Sequence, residues 1–158
     1  MGGKSTFARA AALACVLAHV GSYVPAESAE VPLLDRVFAR VGSADDPRAG
    51  QSTFVREMRE TAAILKNATD KSFVVVDEIG RGTSTTDGTA LAAAVCETLC
   101  QGPLSIFTSH FYALCELEKT TDGCVKNYHV DALVEDEELT LLYKVEAGPA
   151  TKSYGIHC

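Results

Sequence analysis

The chain opens with Met1-Gly2-Gly3-Lys4-Ser5-Thr6, two glycines followed by a lysine and two hydroxyls. This order is the closing half of G-x-x-x-x-G-K-[ST], with Gly3, Lys4 and Ser5 at the last positions and the opening glycine falling before residue 1. The chemistry of such a loop is anion capture. Successive backbone N–H groups and a helix N-terminus surround phosphate oxygens, the lysine reaches the β and γ phosphates, and the first hydroxyl binds magnesium. Gly2, Gly3, Lys4, Ser5 and Thr6 are therefore the candidate phosphate-binding residues, and Ser5 is also a candidate metal ligand. A bare hexapeptide is equally well read as a loose terminus, so the reading depends on a counterpart elsewhere in the chain.

The counterpart is Phe73-Val74-Val75-Val76 running into Asp77-Glu78. A continuous β-branched and aromatic run predicts a strand buried on both faces of a parallel sheet, with the acids at its carboxyl end. Opposite a phosphate loop, Asp77 would hold Mg2+, through water, and Glu78 would orient and polarise the attacking water. His110 ends the next short apolar stretch, residues 104–108, and would emerge at the same sheet edge to sense the γ-phosphate. Each group has a plainer reading alone, as acids ending a surface strand or as a structural histidine. Three such groups, each at the end facing one cleft, argue together for a nucleotide site with Glu78 and His110 as its catalytic candidates.

These residues need elements to position them. Residues 5–19 are rich in Ala and Leu, lack Pro and precede Gly21, which predicts a buried helix with a glycine stop. A turn-like stretch around Pro25 and Pro32 and a surface loop over residues 45–50 follow. Ser52 or Thr53 caps a second helix, on which Phe54, Met58, Thr61 and Leu65 fall on one face. A glycine-rich loop over residues 79–88 leads into a helix from about Thr89 to Leu99, and with the strand at 104–108 this completes a βαβ unit. Residues 125–134 and 139–145 read as two more strands joined by an acidic turn.

At 158 residues the chain is long enough for one domain with a core. The net charge of −7 excludes this segment as a direct duplex-DNA binder, which needs clustered Lys and Arg. The six cysteines, Cys15, Cys96, Cys100, Cys115, Cys124 and Cys158, read as reduced thiols rather than a secreted disulfide framework. His110, Cys115, Cys124 and His129 lack the C-x2-C spacing of a zinc site. Lys4 and Arg9 before the apolar run of residues 10–20 resemble a secretory signal, but cleavage there would remove the helix that the phosphate loop requires. The apolar run is also shorter than the roughly 20 residues that span a bilayer.

Four segments carry a family resemblance. Residues 1–6, Gly21-Ser22-Tyr23-Val24-Pro25-Ala26, Ser52-Thr53-Phe54-Val55-Arg56-Glu57-Met58 and Asp77-Glu78-Ile79-Gly80-Arg81-Gly82-Thr83-Ser84-Thr85 resemble the MutS family of DNA mismatch repair and recombination proteins, in the ATPase domain. Ser153-Tyr154-Gly155-Ile156 resembles a further segment near the end of that domain. The resemblance covers nearly the whole chain and implies an ABC-type P-loop NTPase, α/β in class, with a mostly parallel sheet flanked by helices plus some antiparallel strands. It implies ATP and Mg2+ as cofactors and a second MutS-type subunit, in a homo- or heterodimer, across composite ATP sites. By the same resemblance Ser52 reaches the nucleotide of the partner subunit in trans, a role that suits a hydroxyl at a helix N-terminus. Tyr143 lies against the adenine ring.

Departures from the family pattern temper the expectation. The chain begins inside the P-loop and ends at His157-Cys158, before the family's C-terminal helix-turn-helix, so the resemblance implies a domain of residues 1–158 truncated at both ends. Such a chain alone is expected to bind ATP weakly. Thr108-Ser109-His110 replaces the more usual Ala-Thr-His. Mismatched or branched DNA would be bound through other regions of the parent, in the nucleus of a eukaryote or otherwise in the cytoplasm. The alternatives are another kind of ABC-type ATPase, which should carry Leu-Ser-Gly-Gly-Gln where this chain has Gly50-Gln51-Ser52-Thr53-Phe54, or a catalytically silent module.

Overall fold

The computed structural model describes residues 3–42, 53–135 and 138–150. A sheet of three parallel strands, β1 (Arg36–Arg40), β2 (Ser72–Asp77) and β3 (Leu104–Thr108), lies in the order β1-β2-β3. In register, Arg36 pairs with Ser72 and Arg40 with Val76, while Phe73 pairs with Leu104 and Asp77 with Thr108. The central strand is buried at every position, which is why its sequence is a continuous apolar run rather than an alternation.

The pleat of β2 divides the core between two helix layers. Val74 and Val76 pack with Ile64 of α2 (Thr53–Asn67) and with Ala92, Val95 and Leu99 of α3 (Thr85–Leu99). Phe73 and Val75 face the other way, onto Ala8, Ala11, Ala12 and Cys15 of α1 (Lys4–His19). Burying each such valine or phenylalanine contributes roughly 1.5–3 kcal/mol, so β2 is the spine of an α/β/α sandwich. A short 3-10 turn (Tyr112–Glu116) and α4 (Leu117–Thr120) lead to an antiparallel hairpin, β4 (Tyr128–Glu135) with β5 (Glu138–Ala147). The arrangement is the α/β class expected, with a parallel sheet and an antiparallel pair.

Three local expectations need correction. First, β1 was not foreseen; Val37-Phe38-Ala39 is a short apolar run between two arginines, and burial of Arg40 depends on acids from α2. Second, α3 starts at Thr85, not near Thr89. Ser84 caps it, accepting the Asp87 N–H at 3.1 Å and donating its own hydroxyl to the Asp87 carboxylate at 2.8 Å. Third, α1 is only partly buried. Ala8 is fully covered, but Leu13 is 56% and Val16 43% exposed, because α1 lays one face across the strands and turns these residues away.

Candidate functional site

All three strands of the parallel sheet end at one edge, so Arg40, Asp77 and Thr108 share it, and the N-terminus of α1 meets the same edge. Ser5, in the first turn of α1, donates its hydroxyl to Asp77 Oδ1 at 2.7 Å. Thr108, paired with Asp77 in the ladder, donates to the same oxygen at 2.5 Å. Asp77 is buried, and two donors on one oxygen leave Oδ2 for another partner. The left-handed turn at Gly3, φ +87°, suits glycine. The helix behind it carries no acid of its own in the first turn, and the charge facing the positive end of the α1 dipole is the Asp77 carboxylate bonded to Ser5.

Glu78 adopts φ +54°, a conformation uncommon outside glycine, and its N–H donates to the Thr108 carbonyl at 3.0 Å. Its carboxylate has both oxygens engaged. Arg81 Nη1 lies 2.7 Å from Oε2, and His110 Nε2 meets Oε1. An ion pair with Glu78 would by itself raise the His110 pKa. Partial burial outweighs it, with the charges of Lys4 and Arg81 adding to the effect, and the ring is held below the ordinary imidazole range. His110 is thus neutral at neutral pH, and its contact with the carboxylate requires the proton on Nε2. The influence of Lys4 also places that ammonium in electrostatic range of the same histidine.

The loop after Glu78 is fixed by glycines. A Cβ on Gly88 would lie 2.3 Å from the Gly80 carbonyl oxygen, and one on Gly80 would lie 2.7 Å from the Gly88 carbonyl oxygen. Gly82 packs against Phe54 at the start of α2, where an added Cβ would meet Phe54 Cβ at 2.8 Å. The acidic loop therefore rests directly on the first turns of α2 and α3.

Of the residues singled out from sequence, Gly3, Lys4, Ser5, Asp77, Glu78 and His110 come together at this edge. Tyr143 joins them from β5: its Cδ1 lies 3.1 Å from where a Gly3 Cβ would stand. That places the ring over the glycine turn. Thr6 is exposed on α1. Gly2, Ser52 and residues 153–156 lie outside the described residues. Sequence reasoning missed the contacts of Thr108 and Arg81; the cue for Arg81 was its spacing of three from Glu78, and for Thr108 its position at the end of the neighbouring strand.

It also missed a buried ion pair. Arg40 Nη2 lies 3.0 Å from Glu57 Oε1 with the two side chains 7% and 6% exposed, and Glu60 Oε2 stands 3.3 Å from Arg40 Nε. This cluster ties the outgoing end of β1 to α2.

A cavity of about 230 Å³ between the ends of α2 and α3, lined in part by Leu65, Asp70, Leu99 and Pro103, opens at the opposite edge of the sheet. It holds none of the groups above, so chemistry rather than concavity locates the site. A hydroxyl and a buried carboxylate side by side are hard oxygen donors of the kind Mg2+ selects, and the residues present fit that ion. Among the described residues no helix is long and apolar enough to cross a membrane.

Compared with known protein families, residues 1–158 match the model of MutS domain V, a P-loop ATPase domain. The match spans the glycine turn, the acidic pair and the later histidine alike, and with it the chain belongs to the MutS family.

Proposed function

We propose that the chain is the ATP-binding and ATP-hydrolysing domain of a longer MutS-type protein, active within that parent and coupling its nucleotide state to the binding of mismatched or branched DNA by other parts of it. The observation that carries the reading is the meeting of Ser5 with Asp77, beside the Glu78–His110 contact. A phosphate loop and an acidic strand end, far apart in sequence, form one polar locus.

In this reading the backbone N–H groups of residues 2–6, the Lys4 ammonium and the Thr6 hydroxyl hold the phosphates. Tyr143 lies against the adenine. Ser5 and Asp77 hold Mg2+, which offsets charge on the triphosphate when bound. Glu78 accepts a hydrogen bond from the attacking water and aligns it. Each Glu78 oxygen has one partner, Arg81 or His110, and keeps a lone pair to accept the water, while neutral His110 can redirect its Nε2 proton towards a γ-phosphate oxygen. Ser52 completes the site of a second MutS-type subunit.

Glu78→Gln in the full protein tests the reading. It keeps the shape and removes the acceptor charge, so ATP should stay bound while turnover falls by about 10²–10³-fold. Unchanged turnover would remove Glu78 from its role, and lost nucleotide binding would point to a structural one.

A further inference from the structure

Away from the ATP site, at the edge where the parallel strands begin, three thiols meet. Cys96 and Cys100 stand one helical turn apart at the end of α3, Cys100 being its C-cap residue. Cys124 comes from the turn between α4 and β4. The Cys124 thiol donates to the Cys100 carbonyl oxygen at 3.3 Å, which brings the Cys124 sulfur against the Cys100 residue itself. With the Cys124 sulfur this close to the Cys100 backbone, a bond of about 2 Å between the two sulfurs asks mainly for side-chain rotation.

Their surroundings differ. Cys124 is exposed, whereas Cys100 and Cys96 are partly covered. A small oxidant reaches Cys124 first. We propose that Cys100 and Cys124 form an oxidation site at which a hydroperoxide closes an intramolecular disulfide, joining the end of α3 to the segment that enters β4.

The chemistry runs in two balanced steps. The Cys124 sulfur, as thiolate, attacks the O–O bond of hydrogen peroxide; an S–O bond forms, and the departing hydroxide takes up the thiol proton and leaves as water. The Cys100 sulfur then attacks the Cys124 sulfenic sulfur; the S–S bond forms, and the Cys100 proton leaves with the sulfenic hydroxyl as a second water. Two thiols are oxidised by two electrons and one peroxide is reduced to two waters. Burial pushes the Cys100 thiol up to about 12, so it stays protonated and does not itself attack the peroxide. The order of events thus follows from the two environments.

The full chain, reduced and then exposed to hydrogen peroxide, should lose the mass of two hydrogens. Peptide mapping should join the Cys100 peptide to the Cys124 peptide, and dithiothreitol should reverse it. Cys124→Ser should abolish the bond, and Cys96→Ser should leave it unchanged. A Cys124 sulfenic acid that dimedone traps without disulfide formation, a bond to Cys96 or between chains, or an unchanged mass would each overturn the proposal.

Discussion

Ser5 and Asp77 lie 72 positions apart in sequence and share a 2.7 Å hydrogen bond, so the first turn of α1 is pinned to the end of the central strand. The bond holds the hydroxyl and carboxylate side by side before any ligand arrives, which lowers the ordering cost of binding one.

Ser5→Ala should therefore act on the metal more than on the nucleotide. Hydrogen bonds to charged groups contribute about 1.5–3 kcal/mol, and Thr108 still donates to Asp77, so the fold should survive. We expect ATP affinity measured in Mg2+ to fall by roughly tenfold or more, about 1.4 kcal/mol, with little change in EDTA. An unchanged Mg2+ dependence would show that Ser5 is not a metal ligand.

Gly88→Ala sets two effects against each other. In a free helix alanine is favoured over glycine by about 1 kcal/mol. Here the new methyl would stand 2.3 Å from the Gly80 carbonyl oxygen, and a backbone atom cannot swing aside as a flexible side chain would. Overpacking of this kind costs about 1–3 kcal/mol, so the net change should be destabilising. Thermal unfolding should show a lower Tm, by roughly 2–4 °C per kcal/mol in a domain of this size. A raised Tm would mean that α3 and the acidic loop are less closely packed than described.

Glu57→Ala should be among the most damaging changes outside the candidate site. It would leave Arg40 buried with only the half-exposed Glu60 nearby, and breaking a buried pair from one side typically costs about 3–5 kcal/mol. Since Glu60 remains, the lower end of that range is expected in denaturant unfolding. The double variant Arg40→Met, Glu57→Leu should recover most of the loss, because apolar replacement removes both desolvation costs together. A double variant no better than the single one would refute this account.

The same contacts show where sequence reading succeeds. β2 was legible because burial on both faces forces an unbroken apolar run, and Asp77, Glu78 and His110 were legible because parallel strands bring their carboxyl ends to one edge. What failed was non-local. Arg40 looks like a surface charge until Glu57 and Glu60 arrive from α2, and that pairing lets β1 close its ladder inside the fold. Gly88 reads as a helix breaker, yet it sits within α3 because the Gly80 carbonyl occupies the space a side chain would need. Arg81 and Thr108 carry no motif of their own and matter only through the acids they touch. The second helical face, by contrast, was a local matter of spacing, and Thr61, Met58 and Leu65 do face the core, with Glu57 an unexpected companion.

His110 gives the pH prediction. Burial, helped by Lys4 and Arg81, holds its folded-state pKa below the ordinary value despite Glu78. A depressed histidine pKa means that the unfolded chain binds the proton more readily than the folded one. Its stabilising contribution is therefore complete above the unfolded pKa of about 6.5 and is lost as pH falls from there through the folded pKa. Protonation of the ring would also turn its neutral hydrogen bond with Glu78 into a full ion pair, which partly offsets the loss without changing its sign. The expected result is a Tm that declines as pH falls below about 6.5, and His110→Gln should flatten that decline while leaving the carboxylate a hydrogen-bond donor. Matching slopes for the two proteins would show that the ring does not titrate as its surroundings require. A steeper decline in the variant would mean that Glu78 outweighs burial and that the folded chain binds the proton more tightly.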